Sequence, residues 1–432
     1  MSFLGTLGYR FKLPGEASPD GAIILASGLP RHQLTRRRID PEGRPYLEDR
    51  LFDPQLYLAG LGAHEASTTC TYLSSYSWFG VETENYDSGE QKQSEWKSDA
   101  ERDIANRWPS RAPVTSIPEH VKACIDLQME LGCSGVILPS PLCVTPTSSY
   151  EEELRWLDAG LEYAQSIGGI ELPVFATVAL SDVCLRSIAP TESLFLSGVA
   201  DAVSSREVDG VYIVVELASE PEQARQCGNA NTLESVLFLT HAFARDAELI
   251  VGVNFLGAFG AACRGAGADF WCSAWYKSLI RLRMADRATT GRAYPSYWTR
   301  HAALDVHLET DFDLLAASPV LNELKDETAA SRSLLDAAAA GRQARDVPGW
   351  AYAQSNVESA REHFYHSCLG LDDSLEELSE DERVNAVATW LDECARRAQM
   401  VDDQLGRRSK TSTAHVAAWR DAFARYRQSH GV

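Results

Sequence analysis

Short, nearly continuous apolar runs alternate with segments of helical period along the first three quarters of the chain. The runs are Ala22–Ser27, Gln55–Ala59, Gly135–Pro139, Pro173–Leu180, Val211–Leu217, Leu249–Phe255 and Asp269–Ala274. Strands that are apolar at almost every position are buried on both faces, as in a parallel sheet covered by helices. The segments between them carry helix-end signals. Ser116-Ile-Pro-Glu119 reads as a capping box with proline just inside the helix. The helix it opens puts Val121, Cys124, Ile125, Gln128 and Leu131 on one face, and Gly132 suits the position just past its end. A second helix runs from about Ser149 through Leu154, Leu157 and Leu161 to Gly168–Gly169. A third follows Asn231-Thr232 and includes Val236, Leu237 and Phe243.

Strand, helix, strand, helix is the order of a right-handed βαβ array. Seven strands precede residue 280, and an eighth is placed between Gly291 and Leu308. That many serial units favour a closed barrel over an open sheet, and no G-x-G-x-x-G follows the first strand. The expected fold class is α/β: a TIM-type (β/α)8 barrel with a parallel sheet over residues 1–317 and a helical C-terminal domain over 318–432. Helical segments in the second part are Glu323–Ala340, Val357–Cys368, Ser379–Leu405 and Ala414–Gln428. In the third of these, Val384, Val387, Leu391, Cys394 and Ala395 mark an amphipathic face. An insertion at about 64–115 separates the second and third strands. It opens with Ser/Thr and aromatic residues (Ser67–Phe79) and turns acidic over Glu82–Glu101. It follows a strand, so it lies on the face where barrels build active sites. A lid or partner loop and a packed ornament both fit it.

Composition narrows the classes. Apolar residues make up 45% and charged residues 23%, values of a globular chain able to bury a large core. The formal net charge of −21 argues against non-specific nucleic-acid binding, since phosphates are held by Lys and Arg. The one dense basic run, Arg36-Arg37-Arg38, suits a solvated loop or a local anion site. No run approaches the roughly 18 apolar residues of a membrane span, and Met1–Leu13 lacks the apolar stretch of a secretory signal. A cytoplasmic protein is expected. The ten cysteines include no C-x-x-C or C-x-C pair. Reduced thiols and no structural zinc follow. His363, His366 and Cys368 could bring two ligands to one helical turn, but no second pair accompanies them. Neither metal nor cofactor is expected.

Candidate chemistry comes from strand parity. Large apolar residues face the helices, so the opposite row faces the barrel axis. Tyr212, Val214 and Glu216 then point inward, as do Ile250, Gly252 and Asn254. Glu216 and Asn254 lie near the carboxyl ends of neighbouring strands, where inward polar groups serve chemistry. Glu216 is the candidate acid/base and Asn254 the candidate orienting group. A buried salt bridge or hydrogen bond is the competing explanation. Thr177, Asp182, Ser140, Ser273 and Lys277 are candidate substrate contacts, with Ser181, His64 and Glu65 also at strand ends. Gly257 and Gly260 would let backbone N–H groups approach an anion, or simply allow a helix to sit close.

Gly252-Val253-Asn254, the following helix, and Arg264-Gly265 through Asp269-Phe270-Trp271-Cys272 resemble the late strands of tRNA-guanine transglycosylases. Asp209-Gly210, with Glu216 through Glu222, is similar to the preceding strand and loop. The resemblance implies a shared barrel. It does not carry over that family's catalysis, because Trp271 stands where those enzymes have a nucleophilic Asp, and their C-x-C-x-x-C…H zinc site is absent. Two functions fit the sequence. One is a barrel enzyme, a transferase, hydrolase or lyase, acting on a small polar or anionic substrate that contains a nucleobase or sugar. The other is a catalytically degenerate barrel serving as a subunit of a larger assembly, with a protein partner on its C-terminal helices and the insertion.

Overall fold

The computed structural model describes residues 3–8, 21–36, 49–62, 66–81, 104, 106–146, 150–222, 224–288, 295–351, 357–406 and 409–432. Eight parallel strands form one sheet: β1 Phe3–Leu7, β2 Gly21–Leu25, β3 Asp49–Asp53, β4 Val136–Ile137, β5 Val174–Ser181, β6 Gly210–Glu216, β7 Ile250–Asn254 and β8 Phe270–Ser273. Their order is β3-β2-β1-β8-β7-β6-β5-β4. The two ends of this order meet where Ser134, just before β4, donates its N–H to the Arg50 carbonyl of β3 at 2.8 Å. The sheet therefore curls into a nearly closed TIM-type barrel, as the sequence pattern predicts. Helices α1 Ile117–Leu131, α2 Glu151–Ser166, α3 Leu194–Ser204, α4 Ala230–His241 and α5 Gly260–Gly265 follow strands in turn. The predicted inner face of α1 is buried throughout. Gly132 takes φ 65° and closes the helix onto Gln128 and Met129. Ser116 itself is left-handed and its hydroxyl makes no capping bond, so the expected capping box does not form there.

Three strand assignments differ from the sequence reading. The barrel opens with β1, which the pattern did not mark. β3 lies at Asp49–Asp53, while the run Gln55–Ala59 holds a single 3-10 turn at Leu56–Leu58, entered through Gln55 at φ 53°. With β1 supplying the eighth strand, the stretch 291–308 contributes none to the barrel among the described residues. Instead β9 Ser296–Thr299 and β10 Leu304–His307 pair antiparallel as a separate hairpin.

The amino end of the barrel is filled by side chains. Phe175 of β5 and Phe270 of β8 meet edge to face with centroids 5.9 Å apart. Room for them comes from Gly210 and Gly252. A Cβ on Gly210 would lie 2.7 Å from the Phe175 ring, and one on Gly252 would lie 2.1 Å from the Phe270 ring. Ile250, on the inward row by parity, sits at the rim of this end and is 38% exposed. The opposite, carboxyl end is the one where barrels of this kind build their sites.

The C-terminal helices α6 Arg332–Ala339, α7 Glu358–Glu376, α8 Glu380–Leu405 and α9 Ala414–His430 share one continuous apolar core with the barrel. Trp271, on the outer face of β8, donates Nε1 to Asp372 Oδ1 of α7 at 2.8 Å. Arg264 Nε of α5 lies 3.4 Å from the same oxygen. Trp419 of α9 donates to the Cys227 carbonyl at 3.0 Å. His363 is a core residue. Its Nε2 lies 2.7 Å from the Trp298 carbonyl and its Nδ1 2.8 Å from Thr328 Oγ1. Burial holds its pKa down to about 4, so the neutral ring uses one nitrogen as donor and one as acceptor, and neither is open to a metal. All ten cysteines are free and buried.

The insertion begins as core. Tyr76 donates its hydroxyl to the Leu29 carbonyl at 2.7 Å, and Trp78 Nε1 donates to the Pro54 carbonyl at 3.0 Å. Its acidic part, together with His64, Glu65, Arg37 and Arg38, lies outside the described residues. Among the described residues, no helix is long and apolar enough to cross a membrane.

Candidate functional site

Two polar clusters occupy the carboxyl end of the barrel. The first crosses its axis. Asp53, the last residue of β3, accepts on Oδ2 from the hydroxyls of Tyr57 (2.5 Å) and Tyr212 (2.9 Å). Its Oδ1 accepts from the Gln55 N–H at 3.0 Å. Tyr212 in turn accepts from Asn254 Nδ2 at 2.7 Å. Asn254 Oδ1 takes Thr6 Oγ1 at 3.2 Å and the Phe255 N–H at 2.7 Å. These five side chains are at most 2% exposed. They join β1, β3, β6 and β7 through fully made hydrogen bonds, which is the condition for burying such groups. Two of the donating N–H groups belong to residues held at positive φ, Gln55 (53°) and Phe255 (63°). A left-handed non-glycine residue costs on the order of 1–2 kcal/mol, and here each one aims its N–H at a side chain of the cluster. Burial first, and then the Asp53 charge, push the Tyr212 phenol well above its ordinary range. It stays protonated and donating.

Tyr212→Phe removes the hydroxyl that links Asn254 to Asp53. The expected loss is about 1–3 kcal/mol, because an amide donor and a carboxylate each lose a partner in the interior. Urea unfolding at neutral pH measures it, and a wild-type midpoint would show that the chain of bonds is not coupled to stability.

The second cluster surrounds Glu216. Register pairs Ser181 of β5 directly with Glu216 of β6, and Ser181 Oγ donates to Glu216 Oε2 at 2.9 Å. Oε1 faces the Met284 N–H at 3.5 Å. Met284 arrives on a strap that runs over the end of the barrel after β8. Leu217 N–H donates to the Leu282 carbonyl at 2.7 Å, and Arg281 forms a bridge with Leu256. Glu216 is left 5% exposed. Burial is the main cause that raises its pKa; the Ser181 and Met284 hydrogen bonds oppose it and the Asp182 charge adds to it. Among the described residues, no cation forms an ion pair with Glu216.

The remaining sequence candidates separate. Asn254 belongs to the axial cluster and not to Glu216. Thr177 points inward but gives its hydroxyl to the Leu138 carbonyl at 2.6 Å. Ser140, near it at the end of β4, has a hydroxyl contact of 3.3 Å to the Pro141 carbonyl. Asp182, fully buried, braces the loop after β6 by accepting from Ser219 N–H and Oγ. Ser273 alternates onto the helix side of β8 with Trp271, away from the axis. Lys277 sits on the strap beside Asp286, 3.5 Å away. The two glycines after β7 are there for close contact. A Cβ on Gly257 would strike Gln226 at 1.9 Å and one on Gly260 would strike Trp271 at 2.6 Å.

Asp53, Tyr57, Thr6 and the Met284 N–H are members the sequence reading missed. The signal for Asp53 was an acid ending the apolar pair Leu51-Phe52 immediately before proline. Among the described residues, no group of three or more His, Cys, Asp or Glu is placed to hold a metal ion. No family model matches the chain, and no curated protein matches it.

Proposed function

We propose that the chain is a barrel enzyme acting on a small polar or anionic substrate by acid/base chemistry, with Glu216 as the proton-transfer group. The observation that carries this reading is a buried carboxyl at the carboxyl end of β6 with no cation paired to it among the described residues. A structural carboxylate in such a place is normally neutralised by a partner charge. A carboxyl that burial raises above the ordinary carboxylate range, against the pull of its two hydrogen bonds, is suited to exchange protons. Asp182, whose charge acts on Glu216, and Thr177, earlier on the same neighbouring strand β5, are the candidate substrate contacts nearest in the barrel order.

The degenerate-subunit reading draws on the strap, which covers Glu216. Against it, none of the large apolar residues exposed among the described ones lies beyond Leu314, so the C-terminal helices offer no such face to a partner.

Glu216→Gln tests the proposal. Turnover on a panel of phosphorylated sugars and nucleosides is expected to fall about 100-fold or more. Stability should move the other way. A carboxyl whose folded pKa is raised contributes fully below its unfolded pKa, and that contribution is lost as pH rises through the folded value. The wild type therefore loses stability above the ordinary carboxylate range, and Glu216→Gln does not. Its melting temperature at pH 7 is expected to equal or exceed the wild type's. Undiminished turnover in the variant would remove Glu216 from the chemistry. Wild-type protein that neither turns over nor binds any member of the panel would favour the subunit reading.

A further inference from the structure

Three cations of the strap converge on one carboxylate. Asp286, 4% exposed at its side chain, is met by Arg281 at 2.8 Å, Arg283 at 3.0 Å and Lys277 at 3.5 Å. They do not share it equally. Arg281 is spent: it is 1% exposed, and its other nitrogens donate to the carbonyls of Pro221 and Glu222. Lys277 and Arg283 are not. The Lys277 ammonium has that one long contact, and its side chain is 34% exposed. The Arg283 guanidinium bonds Asp286 through Nη1, while its Nε is buried without a hydrogen-bond partner. Its side chain is 18% exposed. An ammonium carries three donors and a guanidinium five, so most of the donors of this pair are unused.

Among the described residues, the carboxylate that Lys277 and Arg283 pair with is shared with Arg281. Burial and then the Arg281 charge lower the Lys277 pKa, while Asp286 and Glu222 oppose the shift without removing it. Glu222 forms no ion pair with Lys277. Crowded like charges of this kind are relieved by an oxyanion, and a doubly charged one matches two cations. The strap that carries the pair also carries Met284, the residue after Arg283, whose N–H faces Glu216. It also follows the last barrel strand, a region from which this fold commonly holds phosphate.

We infer that Lys277 and Arg283 form an oxyanion subsite on the strap that holds the phosphate group of a small phosphate ester. The inference rests on the barrel-enzyme reading and narrows its substrate class. Lys277 supplies a point charge from the solvent side, Arg283 supplies directed N–H groups from beneath, and Asp286, tied to Arg281, keeps Arg283 in place.

The test is titration of the full chain with inorganic phosphate at constant ionic strength, with sodium chloride as control, followed by calorimetry and melting temperature. Glycerol 3-phosphate against glycerol reads the ester. Phosphate and the ester are expected to bind the wild type and raise its melting temperature, and chloride and glycerol are not. Lys277→Met and Arg283→Gln should each weaken binding about tenfold or more, the worth of one charged hydrogen bond. Arg283→Gln loosens Asp286 and can cost folding, so Lys277→Met, a part-exposed side chain with one weak contact, is the deciding variant. Unchanged phosphate binding in Lys277→Met, or a wild-type response no greater than to chloride, overturns the subsite. Glu216→Gln should bind phosphate as the wild type does. Normal turnover in Glu216→Gln, with phosphate binding still lost in Lys277→Met, would overturn the role of Glu216 and leave the subsite standing.

Discussion

Asp372→Ala is expected to lower the stability of the fold by about 3–5 kcal/mol, the range for removing one partner of a buried charged pair. Asp372 is 1% exposed on α7. It takes the Trp271 indole N–H and stands against Arg264, whose side chain is 7% exposed. Alanine leaves a buried indole N–H without an acceptor and a buried guanidinium without its counter-charge. Arg264 keeps its bonds to the Ala268 and Asp269 carbonyls, which sets an upper limit on the loss. Asp372→Asn retains an acceptor for Trp271 and should cost less than alanine does. The check is the urea midpoint at constant m-value. A midpoint unchanged in Asp372→Ala would mean that α7 docks on the barrel through apolar contact alone.

Gly252→Ala is expected to destabilise by about 1–3 kcal/mol or more through overpacking. Its methyl would need the space of the Phe270 ring, whose Cζ is 2.1 Å from the position of the new atom. Phe270 cannot swing aside freely, because Phe175 closes on it edge to face. Phe270→Leu alone should also destabilise, by leaving a void. The two together should cost less than the sum of the singles, since the added methyl occupies part of the vacated space. A double-mutant cycle gives the coupling directly. Strict additivity would show that the floor of the barrel yields at some other point.

The sequence discloses the strands whose every position is apolar and hides those whose apolar residues are few. β5, β6 and β7 stand out because both their faces are buried. β3 is Asp-Arg-Leu-Phe-Asp, and its two apolar residues are outweighed by the stronger local pattern of Gln55–Ala59 just after it. β1 contains Gly5 and Thr6, and it is held as a strand between β2 and Trp271–Ser273 of β8, the latter far away in sequence. Periodicity is local and carries no record of such a partner. The same limit applies to the site. Parity was enough to turn Glu216, Tyr212 and Asn254 inward. It could not show that Asn254 is committed to Tyr212, because that depends on how the strands are staggered around the axis. Nor could it find the Met284 N–H, a backbone group that the strap carries to Glu216. Lys277 was visible as a charge after a strand; Arg283, six residues on, had no strand end to mark it.

The place of β1 between β2 and β8 has a consequence for synthesis of the chain. Phe3 leaves the ribosome long before its partner Trp271, and longer still before Tyr365, whose ring lies 6.1 Å from its own. At ordinary elongation rates of about 5–20 residues per second, one edge of β1 waits roughly tens of seconds for a neighbour. During that interval its N–H and C=O groups can pair with any other strand edge. Nascent chains stalled before residue 270 are expected to expose β1 to protease and to aggregate. Chains released past residue 376, which hold β8 and α7, are expected to protect it.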